Sequence, residues 1–164
     1  NLVSWIDLST RTVVATTETD ARPRHVEFTA DGKQLWVAAE VGGAVQIVDA
    51  ASKAVVQTLT FAIDGVPAYK LLPCGIAFTP DGHMAVIALG RSDHIALVDV
   101  ATRKVKAYIH VGKRVWHLAL SADGTRIYTA NGLSDNISVV DVQTAKVTQT
   151  IGTGAGPWGI VVAP

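Results

Sequence analysis

One cysteine among 164 residues, Cys74, excludes an internal disulfide and leaves the redox compartment open. Net charge is absent too, with 14 Lys and Arg balanced by 14 Asp and Glu. A neutral chain gains little from counterion release, which argues against nucleic acid and against an anionic membrane surface as partners. Within the sequence no apolar run is long enough to span a bilayer, and no charged-then-apolar leader is found. A helical stripe of useful length is missing throughout. So are the nucleophile elbow, the phosphate loop, zinc-ligand spacing and the dinucleotide fingerprint.

What the chain does have is a repeat. Apolar residues at 49% and charged residues at 17% describe a well-buried globular protein. Leu118–Val142 reads as three consecutive strands: LALSA and RIYTA flank the Asp123-Gly124 turn, and a polar loop leads on to ISVVDV. KVTQTI follows as a fourth strand. The Asp-Gly turn recurs at Asp31-Gly32 and Asp81-Gly82, and an Asp ends the third strand at Asp7, Asp49, Asp99 and Asp141. A unit of roughly 40–45 residues with period-two alternation rich in β-branched residues is one four-stranded propeller blade. The fold expected is therefore all-β, a β-propeller of four-stranded antiparallel blades.

The register divides residues 1–164 as a single partial propeller domain of about 3.75 blades. Residues 1–20 supply strands three and four of a blade. Complete blades are expected at 24–61, 74–111 and 116–152, and 157–164 as a closing inner strand. Strands left without neighbours at both ends predict that the remainder of a larger propeller, or a second copy of the chain, pairs with them.

Aligned blades separate repeat residues from unusual ones. The four strand-ending Asp residues read as turn hydrogen-bonders. The informative column is the entrance to each inner strand, which runs Arg24-His25, Cys74-Gly75, Trp116-His117 and Trp158-Gly159. Bulky, cationic and titratable residues gather there at one depth of the channel mouth. Such a mouth suits a small anionic or aromatic ligand, or an exposed loop of a partner protein. His25 and His117, two blades apart, are the candidates for a metal, joined in principle by Cys74. The one irregularity, eight extra residues within Ala62–Leu71, feeds the same rim and brings Tyr69 and Lys70 as candidate contacts. Trp5 and Trp36 read as core between blades. His83, His94 and His110 read as solvated. The residues require no cofactor and assign no catalytic group.

Tyr128-Thr129-Ala130-Asn131, between Ser121-Ala122-Asp123-Gly124 and Ile137-Ser138-Val139-Val140-Asp141, resembles the YVTN family of β-propeller repeats. Thr79-Pro80-Asp81-Gly82 and Val98-Asp99-Val100-Ala101-Thr102 carry the same pattern. Val86-Ile87-Ala88-Leu89 and Trp36-Val37-Ala38-Ala39 depart from the tetrad but keep its apolar alternation. The resemblance implies a seven-bladed parent and a periplasmic or cell-surface setting. One branch of that family accompanies pyrroloquinoline-quinone-dependent alcohol oxidation, and Gly156-Pro157-Trp158-Gly159 resembles its end. The leading expectation is a non-enzymatic, extracytoplasmic binding or interaction scaffold, serving quinone-dependent alcohol oxidation beside a periplasmic oxidoreductase. The alternatives are a lactonase-like hydrolase and a haem- or metal-holding propeller with His25 or His117 as axial ligand.

Overall fold

Fourteen strands account for nearly all of the regular structure in the computed structural model, which describes residues 1–163. In chain order they are β1 (Leu2–Asp7), β2 (Thr12–Glu18), β3 (Pro23–Phe28), β4 (Gln34–Ala39), β5 (Ala44–Asp49), β6 (Val55–Thr60) and β7 (Pro73–Phe78). Then follow β8 (Met84–Leu89), β9 (His94–Asp99), β10 (Val105–His110), β11 (Val115–Leu120), β12 (Arg126–Asn131), β13 (Asn136–Asp141) and β14 (Lys146–Gly152). They form one two-stranded sheet, β1-β2, and three four-stranded antiparallel sheets in sequential order: β3 to β6, β7 to β10 and β11 to β14. Only two single-turn 3₁₀ segments, Ala68–Lys70 and Gly90–Ser92, interrupt this pattern. The architecture is a partial propeller.

The Asp-Gly turns show why the blades repeat. Asp31 Oδ1 accepts from the Thr29 hydroxyl (2.7 Å) and the Lys33 N–H (3.0 Å), while Gly32 sits at φ 68°. Asp81 and Asp123 repeat this arrangement. Positive φ is strained for a residue with a Cβ, so the turn selects Gly. The strand-ending carboxylates also act as read from the sequence. Asp49, Asp99 and Asp141 each accept the N–H and hydroxyl of a Ser or Thr three residues on, and Asp7 holds Ser9 and Thr10.

Apolar faces of neighbouring blades pack against each other. Trp36 is fully buried, edge-on to Phe78 of the next blade at 5.3 Å and capped by the Arg103 guanidinium 5.3 Å from its ring centre. Trp5 packs between blades as expected, against the Leu35, Val37 and Val48 cluster, but is only half-buried; its ring meets Phe28 edge-on at 6.0 Å and the Lys53 ammonium at 4.1 Å, and its Nε1 donates to the Thr17 hydroxyl at 2.9 Å. Residues 153–163 form no strand. The closing strand expected over 157–164 keeps its apolar pattern but has no ladder partner among the described residues, and Pro164 lies outside them. A strand needs a neighbour for its N–H and C=O groups. The inner strands β3, β7 and β11 pack side by side in that order around the channel.

Candidate functional site

Antiparallel order places the start of each inner strand, the end of the second and the start of the third on one rim. Glu40, just past β4, therefore stands beside Arg22 and Arg24 at the entrance to β3. Its side chain is 2% exposed and is held by three guanidiniums. Arg24 Nη1 donates to Oε2 at 2.9 Å, Arg22 Nε reaches the same oxygen at 3.2 Å, and Arg114 Nη2 donates to Oε1 at 3.1 Å. Arg114 crosses from the entrance to β11, two blades away. Its backbone takes φ 57°, and its N–H donates to Asp93 Oδ1 at 2.8 Å.

Trp116 lies between two of these cations. The Arg114 guanidinium sits 4.0 Å and that of Arg24 4.7 Å from its ring centre, with Trp158 also 5.8 Å from Arg24. Stacking on an indole face holds each guanidinium plane in place and leaves its edge for anions. Arg114 is 8% exposed, yet its Nη1 has no hydrogen-bond partner among the described residues. A buried charged donor left unpaired is costly, and such atoms mark places where a ligand or water belongs.

Two clefts open onto that atom's side chain. One of about 310 Å³ is lined by Arg22, Glu40, Tyr69, Leu72, Arg91 and Arg114. The other, about 520 Å³, is lined by Lys70, Arg91, Asp93, Lys113, Arg114 and Trp116. Together they face Arg22, Arg91, Arg114, Lys70 and Lys113 against Glu40 and Asp93, an excess of positive charge on a chain that is neutral overall. The inserted Ala62–Leu71 connection thus brings Tyr69 and Lys70 to the mouth, as its position suggested.

The second group stands one residue further along the inner strands. His25 and His117 meet edge to face with ring centres 5.1 Å apart, although sequence places them two blades apart. Gly75 of the intervening strand makes this possible: a Cβ there would lie 3.0 Å from the His117 Cα. His25 Nε2 is 3.3 Å from Glu27 Oε2. His117 is held below the usual imidazole range, first by burial and then by His25, so it is neutral at pH 7. A cleft of about 410 Å³ runs beside His25, Glu27 and His117.

Cys74 lies apart from the two histidines. It is buried, its Sγ donates to the Leu72 carbonyl at 3.3 Å, and burial, then the charge of Glu40, pushes the thiol up to about 11. Thiols, unlike thiolates, neither attack nor bind metals well. Among the described residues no group of three or more His, Cys, Asp or Glu side chains converges on one point. That leaves the grouping of Cys74 with His25 and His117 unsupported.

Sequence reading passed over Arg22, Glu40, Arg91 and Arg114. The signal was available two positions earlier. Two residues before Arg24, Cys74, Trp116 and Trp158 stand Arg22, Leu72, Arg114 and Gly156, and Glu40 aligns with Gly90 and Gly132 after the second strand.

The family model described as "Lactonase, 7-bladed beta-propeller" matches residues 6–153. The chain belongs to this family. Among solved structures it is similar to the hydrazine synthase of Kuenenia stuttgartiensis, at 24% identity and a TM-score of 0.79, over 90% of this chain and 41% of that one. That likeness shows the propeller fold. This lactonase-family chain spans less than half the length of that neighbour. No curated protein matches it.

Proposed function

We propose that the propeller mouth binds a small organic anion, a carboxylate or phosphate ester, through Arg114, Arg91 and Arg24 beside Trp116. The unpartnered, buried Nη1 of Arg114 at the junction of two cationic clefts carries this reading. Glu40 serves as the anchor that holds three guanidiniums together while leaving their outer edges free. In this reading the protein is a binding propeller, and the extracytoplasmic setting and service to quinone-dependent oxidation implied by the repeat resemblance are proposed with it. Calorimetric titration of citrate and inorganic phosphate tests the site. Saturable binding that Arg114→Met weakens at least about tenfold supports it, since charge-assisted hydrogen bonds contribute about 1.5–3 kcal/mol each. Equal affinity in both proteins overturns it.

A second reading, lactone hydrolysis, is favoured by the family match and by the neutral His117 beside the mouth. The imidazole takes a proton from water as its oxygen attacks the lactone carbonyl. The ring C–O bond then breaks, and the imidazolium returns the proton to the departing alkoxide. The arginine layer would hold a carboxylate or phosphate on the substrate. Hydrolysis of an anionic δ-lactone that is lost in His117→Ala supports this step. Turnover unchanged in that variant removes it.

A further inference from the structure

A second histidine pair lies outside the mouth site, on the outer half of the middle blade. His94 opens β9, His110 closes β10, and the two are directly opposed across the antiparallel ladder. Directly opposed residues project from the same face of a sheet, with Cβ atoms about 4.5–5.5 Å apart. Their ring centres are 5.0 Å apart. Two imidazoles bound to one metal at about 2.0–2.1 Å place their ring centres about 4.5–5.2 Å apart, for ligand angles from square to tetrahedral. The ring separation therefore matches that of two imidazoles sharing one ion.

The tautomer is set as a ligand requires. His94 Nδ1 is 2.5 Å from the Ser92 carbonyl, in the 3₁₀ turn that precedes β9, and a carbonyl can only accept. Nδ1 therefore carries the proton and Nε2 keeps its lone pair, the outer-shell arrangement that orients metal-bound histidines. Neither ring forms an ion pair among the described residues, whereas His25 is taken up by Glu27. A cleft of about 260 Å³ opens beside His110, lined also by Gly112, Asn136, Ser138 and Thr150. It gives room and polar neighbours for water to complete the coordination shell.

We infer that His94 and His110 form a two-histidine site for a divalent transition-metal ion of the zinc and copper class. Imidazole nitrogen suits both ions, and copper binds the tighter of the two. An ion bridging β9 and β10 binds the folded state more tightly than the unfolded chain and so raises the melting temperature.

The test uses Zn²⁺ and Cu²⁺ as chloride salts on the whole chain, read by calorimetry and by thermal melts. Wild type is expected to bind one ion and to melt higher in its presence. His94→Gln and His110→Gln should each lose at least about tenfold in affinity, since loss of an outer-shell partner alone costs about 10–100-fold. His25→Gln with His117→Gln should keep the site. Exposed or half-exposed rings at strand ends tolerate Gln, so metal-free melts of the two variants should match wild type. Absence of binding in wild type, unchanged affinity in both single variants, or loss confined to the His25 and His117 variant would each overturn the assignment.

Discussion

Glu40→Ala should be the most damaging single substitution at the rim. Its carboxylate is 2% exposed, and three guanidiniums lie within 3.2 Å, 2.9 Å and 3.1 Å of its oxygens. These contacts differ in weight. Arg22 is 61% exposed, so solvent screens its pair and little stability rests on it. The side chains of Arg24 and Arg114 are 19% and 10% exposed. Removing their carboxylate leaves two like charges packed against Trp116 without the partner that pairs them. Breaking a buried pair from one side costs about 3–5 kcal/mol, mostly as the penalty for the stranded partner. For a chain of this size that is a fall in melting temperature of roughly 6–20 °C. Urea unfolding of wild type and variant measures it. Adding Arg114→Met to Glu40→Ala should recover part of the loss, because one stranded charge goes with it. A loss under about 1 kcal/mol, or a double variant as unstable as the sum of the singles, would refute the view of Glu40 as a buried anchor.

Trp36→Ala should cost about 3–5 kcal/mol in a reversible melt, since the ring is fully buried between blades. Gly75→Ala should destabilise the fold and shift the His117 ring signals in proton NMR, because a Cβ there meets the His117 Cα at 3.0 Å and the Trp116 carbonyl at 3.3 Å. The turn carboxylate Asp123 is lowered to about 2, first by the Ser121 hydroxyl and then by the Thr125 N–H. Its folded-state value lies below the unfolded one, so its contribution is fully present above about pH 4 and fades as pH falls toward about 2. The difference in melting temperature between wild type and Asp123→Ala should shrink over that window. If the chain hydrolyses a lactone through His117, kcat/KM should rise with pH along a limb centred below the ordinary imidazole value. A limb centred above that value would exclude His117 as the base.

The repeat was legible because each blade is built from local signals. Alternation gives the strands, Asp-Gly gives the first turn, and a terminal Asp followed by Ser or Thr closes the third strand; each is satisfied within a few residues. The mouth was half legible. Arg24, Trp116 and His117 stand out because they break a column, and Tyr69 and Lys70 because they sit in the only long connection. Glu40 was hidden, since nothing local explains it: two of its partners, Arg22 and Arg24, come from just before and within the start of β3, and the third lies 74 positions along the chain. The meeting of His25 and His117 was hidden for the same reason. It depends on the missing side chain at Gly75, and an absence in one blade says nothing until the strands are laid side by side. The unpaired final segment shows the opposite failure. Its pattern is that of a strand, but pairing is a property of neighbours.

The most direct test of the binding reading is calorimetric titration of citrate into wild type, Arg114→Met and Arg91→Met at low and moderate salt, with thermal melts run in parallel. Saturable one-to-one binding to wild type is expected, weakened at least about tenfold in Arg114→Met, falling as salt rises, with both variants still folded. Binding of equal strength in all three folded proteins, or none to wild type at low salt, would contradict the proposal that the mouth is an anion site.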